Sequence, residues 1–221
     1  MKAGNVSYNS PGDLPKIVPV FPLAGALLLP RAEMPLNIFE PRYLAMVEAA
    51  MAGDRIIGMV QPEDRAGNDE SPALRAIGCA GRITSFAETG DGRYAITLTG
   101  ISRFRIVEEV PSDAAFRLCR VTARPYAEDF ADERPDSVDR IAVLDTFRAY
   151  LEAHNLEADW DTVGEASNEM LVNALAMMAP FAPAEKQALL EAPDLRARAE
   201  TLVAITEMTL ARTAHSGRTL Q

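Results

Sequence analysis

Five prolines, at positions 19, 22, 30, 35 and 41, punctuate the apolar run from Pro19 to Tyr43. Each removes a backbone donor and fixes φ, so no helix of the ~20 residues needed to span a bilayer forms there. The run predicts short strands joined by fixed corners, delivered at Pro41 into a helix. It holds no nucleophile, phosphate loop or metal cluster. It points to a folded recognition module rather than to an active site.

With 221 residues the chain has room for one large domain or two smaller ones, each burying its own core. Its apolar share of 48% and charged share of 24% are those of an ordinary globular protein. A net charge of −10 argues against a nucleic-acid partner, since backbone binders carry clustered positive charge. The charge is uneven. Residues 1–130 hold 14 basic and 16 acidic side chains, whereas residues 131–221 hold 8 and 16, which suggests two units. No apolar signal segment follows Met1-Lys2, and no apolar stretch is long enough for a membrane span, so the chain reads as cytoplasmic. Cys79 and Cys119 read as reduced, buried small side chains in preference to a disulfide.

The expected organisation is α+β. Residues 1–16 read as a flexible leader and 17–126 as a barrel of short strands with one helix. An acidic linker follows over 127–136, then a helical bundle over 137–212 and a polar tail over 213–221. In the first part, strands are expected at 17–20, 34–38, 56–60, 79–87 and 93–99, then around Phe104 and Ile106, and finally around Phe116–Val121. Gly90-Asp91-Gly92 marks a hairpin, and residues 61–73 form a charged loop. Pro41–Ala52 is the expected helix, with Glu40 as N-cap and Gly53 as stop, packing Tyr43, Leu44, Val47 and Met51 inward. In the second part the period is 3.6. Helices are expected from Ser137 to His154, from a capping box at Thr162–Glu165 through Met178, from Pro183 to Glu191, and from Pro193 onward. Their inward stripes read as Ile141, Leu144, Phe147, Tyr150 and Leu151, then Met170, Leu171, Ala174, Leu175 and Met178, then Leu195, Ala199, Leu202, Ile205 and Thr209.

The order of residues 19–23, 27–43 and 53–60, continued by 91–106, resembles the amino-terminal, substrate-binding domain of Lon-type ATP-dependent proteases. The resemblance persists through 171–202 in the helical part and covers roughly 15–212, with the Ile38–Tyr43 core as its most specific element. It implies a barrel of the pseudouridine-synthase-and-archaeosine-transglycosylase (PUA-like) type, a helical bundle, and recognition of protein substrates for proteolysis. A complete Lon protease also carries an ATPase and a peptidase. A phosphate loop needs a Gly-Lys-Ser/Thr run, and Lys2, Lys16 and Lys186 follow Met1, Pro15 and Glu185. The expectation is a non-catalytic Lon domain without cofactor or metal, either standing alone or cut from a longer protein. It would bind unfolded client segments, as a substrate-recognition or adaptor factor beside a separate protease. A homodimer is left open. The alternative is a PUA-like module for a small molecule or RNA.

Leu27, Leu28 and Leu29 are the leading candidates for peptide binding. Three successive leucines in a strand cannot all face one core, so at least one is expected outside. Arg31, Phe39 and Arg42 complete the candidate surface. A second reading of this corner is structural: Glu40 caps the helix, Arg42 pairs with a carboxylate and Tyr43 packs in the core. A client adding as a strand to a barrel edge is the expected mode. His154 and His215 lack the spacing of metal ligands.

Overall fold

Alternation of apolar residues between Ile17 and Thr122 builds six strands: β3 (Ile17–Pro22), β4 (Glu33–Ile38), β5 (Ile56–Val60), β6 (Ile77–Glu88), β7 (Tyr94–Val110) and β8 (Arg117–Thr122). A computed structural model describes residues 1–63, 72–131, 138–154 and 156–218, with side chains through Arg212. Most of the charged loop at 61–73, and half of the linker at 127–136, lie outside the described residues. The chain divides into two compact units, Met1–Asp132 and Glu133–Gln221. No described helix is long and apolar enough to cross a membrane.

In the first unit the strands run β7-β6-β5-β3-β8, and β8 pairs back onto β7, which closes a barrel. The β3–β5 pair is parallel and the other pairs are antiparallel. β4 lies outside the ring on the first half of β7. The alternation suggested two strands where β7 is one. Gly100 is the reason: a Cβ there would stand 2.0 Å from the Leu29 carbonyl oxygen, so this glycine marks a close backbone approach, not a strand end. Phe104 fills the barrel interior and is fully buried. A Cβ at Gly78 would meet its ring at 2.7 Å, so the ring occupies space that the glycine leaves.

The helix α1 (Pro41–Ala52) has the expected bounds, because its signals are local. Glu40 holds the N-cap position in extended backbone, and Pro41 supplies a preset φ at the first turn. Its buried face is Tyr43, Met46, Val47 and Ala50, so Met46 and Ala50 replace the expected Leu44 and Met51.

The leader is a correction. Lys2–Ala3 and Val6–Ser7 pair as a small hairpin, β1 and β2, and Ala3, Tyr8 and Leu14 are buried in the barrel core. The linker is another. Arg124–Phe130 forms a 3-10 turn that belongs to the first unit, with Asp129 and Phe130 buried. The Arg103 Nε and Nη2 donate to Asp129 Oδ2 and Oδ1 at 2.9 and 2.7 Å, and the Arg103 backbone N–H donates to Oδ2 at 2.9 Å. Arg103 also covers the Tyr126 ring at 4.8 Å. An acidic residue that reads as linker is therefore the buried partner of a strand arginine.

The second unit holds α2 (Arg140–His154), α3 (Trp160–Glu165), α4 (Asn168–Met178), α5 (Pro183–Glu191) and α6 (Leu195–Arg218). α6 packs against α2, α4 and α5 and stays helical through Arg218, where a tail from 213 was expected. Two caps separate what was expected as one helix. Asp159 Oδ1 accepts from the Asp161 and Thr162 backbone N–H groups at the start of α3, and Ser167 Oγ accepts from Met170 N–H at the start of α4. Helix faces are also rotated from expectation. Ile141, Met170 and Met178 are exposed, whereas Val143, Val172 and Ala176 are buried. Polar side chains take inward positions because they find partners. Arg198 Nε donates to the Leu189 carbonyl at 3.0 Å and its Nη1 to Asn173 Oδ1 at 3.2 Å.

Removing one partner of the Arg103–Asp129 pair strands a buried charge. Asp129→Ala is expected to cost about 3–5 kcal/mol in chemical denaturation of the whole chain, and Arg103→Met combined with Asp129→Leu markedly less. Equal losses for the single and double variants would remove the pair as the anchor of this turn.

Candidate functional site

The six candidate residues do not share a surface. The segment carrying Leu27, Leu28 and Leu29 is a loop rather than a strand, so strand alternation does not apply to it. All three side chains are buried, at 2% exposure or less. Leu28 packs where a Cβ on Gly81 would stand, 2.7 Å from its Cδ2. The leucines are core, not contact surface. Arg31, with φ of 66°, turns back at the loop end and its Nη1 donates to the Asp129 carbonyl at 2.8 Å. That bond ties the leucine loop to the 3-10 turn.

Phe39 and Arg42 are exposed, each with its own neighbours. The Arg93 guanidinium lies 5.9 Å from the Phe39 ring. Arg42 donates from Nε to Glu40 Oε2 at 3.0 Å and lies over the Tyr43 ring at 4.6 Å. The Glu40 carboxylate is thus engaged by Arg42, and it makes no side-chain cap to the helix. Tyr43 packs on Phe21 with ring centroids 4.2 Å apart. The structural reading of the Glu40–Tyr43 corner holds for Arg42 and Tyr43.

The second unit carries a feature that the sequence stripes did not reveal. An apolar groove of about 790 Å³ runs between α2, the end of α4 and α6. Phe147, Tyr150 and Leu151 of α2 form one wall, and Leu202 and Val203 of α6 another. Met178 and Leu156 stand at the rim, 83% and 53% exposed. Two of the polar groups lining it, Thr206 and His154, are engaged internally. Thr206 Oγ1 donates to the Leu202 carbonyl at 2.8 Å. The His154 ring stacks on Tyr150 at 4.2 Å, with Nδ1 2.8 Å from the Tyr150 carbonyl oxygen. Burial raises the Tyr150 hydroxyl above its ordinary pKa, which keeps it neutral. Such a surface gains free energy from covering apolar side chains and offers little to a polar ligand. The signal that announces it is an exposed methionine beside aromatics, because thioethers and rings adapt to varied partners.

Among the described residues no group of His, Cys, Asp and Glu is placed to hold a metal ion. The Lys186 Nζ donates to the Met177 carbonyl at 3.1 Å. Burial lowers its pKa.

Residues 17–207 match the family described as the ATP-dependent protease La (LON) substrate-binding domain. The chain belongs to this family. The Lon protease 2 of Myxococcus xanthus is 28% identical over 194 residues, which cover 84% of this chain and 23% of that protein. The Lon protease of Flavobacterium johnsoniae is 29% identical over 203 residues, 86% of this chain and 24% of that protein. This Lon-family chain therefore spans about a quarter of the length of the curated relatives it matches. In fold it is similar to the Lon N-terminal domain protein from Xanthomonas campestris. That likeness has a TM-score of 0.59 at 24% identity and covers 85% of this chain and 97% of that one. It is also similar to the N-terminal domain of the Mycobacterium avium complex Lon protease, with a TM-score of 0.63 at 20% identity over 87% and 98% of the two chains.

Both cysteines of this Lon domain are reduced and buried. Burial, with Glu109 adding to it, pushes the Cys119 thiol up to about 11. A raised folded value favours the native state at pH below the ordinary thiol range, and that contribution is lost as pH climbs toward 11. A thiol reagent at pH 8 is expected to label neither cysteine in native protein and both in denaturant. Rapid native labelling of Cys119 would contradict its placement.

Proposed function

We propose that this chain is a non-catalytic, cytoplasmic recognition domain that holds apolar segments of unfolded client proteins for ATP-dependent proteolysis. The observation that carries the reading is the apolar groove of about 790 Å³ on the helical unit of a chain from a substrate-binding family. Soluble proteins tend to cover apolar surface of this kind, so an open groove with Met178 at its rim marks a contact site. Unfolded segments are the fitting occupant. They expose apolar side chains that a folded partner hides, and ordering them on binding keeps each contact weak and reversible. The adaptor role belongs to the same proposal: a separate protease takes over the segment that the groove presents.

The groove is favoured over the barrel corner because the corner's leucines are buried and its arginines are engaged. Strand addition at β4 is disfavoured by Pro35 in the middle of that strand, which has no N–H to offer.

Fluorescence anisotropy with a labelled unfolded protein separates the two surfaces. Met178→Glu together with Leu156→Glu, both at exposed positions, is expected to weaken binding about tenfold or more, since each places a charge where apolar contact is made. Phe39→Ala with Arg42→Ala is expected to leave binding within about twofold, as surface substitutions away from a contact usually do. The reverse pattern would return recognition to the barrel.

A further inference from the structure

Resting on the groove as the recognition site, we infer that it selects apolar segments flanked by lysine or arginine. The groove does not end abruptly. Toward the end of α2 it runs into a smaller depression of about 340 Å³ that shares Leu151, Leu156, Glu157 and Ala158 with it and adds Glu152. Toward the start of α2 it meets a hollow of about 650 Å³ that shares Val143 and Val203 and adds Asp139, Glu200 and Glu207. An apolar middle thus opens at both ends between carboxylates.

The cations near these ends are already neutralised. Arg148 pairs with Asp145 at 3.2 Å and lies over the Trp160 ring at 4.6 Å. Arg196 pairs with Glu200 at 2.9 Å. Among the described residues no ion pair engages Glu152 or Glu157 at one end, nor Glu207 at the other. No ion pair among the described residues engages Asp139 either, whose Oδ1 accepts from Ala142 N–H at 3.1 Å. The wider sequence agrees, with 16 acidic against 8 basic side chains over residues 131–221. Apolar contact in the middle supplies attraction common to any greasy segment. The terminal carboxylates favour a segment whose flanks are cationic and repel one whose flanks are acidic. All are exposed, so their effect lies in encounter and choice of partner, and salt screens it.

The test uses the whole chain and two labelled peptides with one apolar core of Phe, Leu and Met, flanked by lysines in one and by glutamates in the other. Anisotropy is read at pH 8. The lysine-flanked peptide is expected to bind about tenfold tighter at low salt, the gap closing to about twofold near 0.5 M salt. Glu152→Lys with Glu157→Lys, and independently Glu207→Lys, are expected to shrink or reverse the preference without moving the melting temperature. Equal binding of both peptides, abolished by Met178→Glu, would overturn the charge selection and leave the groove standing as the contact site. Binding of neither peptide, or binding indifferent to Met178→Glu, would remove the groove itself and this inference with it.

Discussion

The barrel depends on one strand doing three jobs. β7 pairs with β6 along most of its length, with β4 through its first half and with β8 through its second, and the last pairing closes the ring. A strand of 17 residues can serve neighbours on different sides only if it bends. Register shifts at Ala80/Gly81, Ile83/Ser85 and Ile106/Glu108 provide the bend. Gly100 admits the backbone of the leucine loop at the same point. Arg103 then leaves β7 to meet Asp129, and Arg31 reaches the Asp129 carbonyl from the other side. The loop, the strand and the terminal turn of the unit are therefore held at one buried place.

How far the sequence could be read depended on how local each signal was. The helix Pro41–Ala52 was legible to the residue because Pro41 and Gly53 act on their own backbone. The hairpin between β6 and β7 was legible for the same reason. Leu27–Leu29 departs from strand alternation because the run is a loop, and all three side chains enter the core. Helix faces were misjudged where a polar residue sits inside. Counting only apolar positions cannot find Asn173 or Arg198 buried and bonded to one another, nor the turn of α4 that this places outward. The groove was illegible for a related reason. Its rim residue Met178 is exposed, a placement that depends on how α4 is turned and that composition does not give.

The two units divide the chemistry between them. The barrel buries its ion pair and its cysteines and presents Phe39 and Phe86 as scattered exposed rings. The helical unit keeps a modest core around α6 and leaves an apolar surface open. The buried ion pair and the open apolar groove thus lie in different units of one chain.

Pro35 gives the open edge of β4 a meaning beyond topology. Unfolded chains are rich in segments ready to pair as strands, and a bare sheet edge beside them is a seed on which such segments stack. Among the described residues β4 pairs only with β7, and its centre lacks the N–H that a newcomer strand would need. An edge that lacks this donor is a poorer template for a strand from another chain.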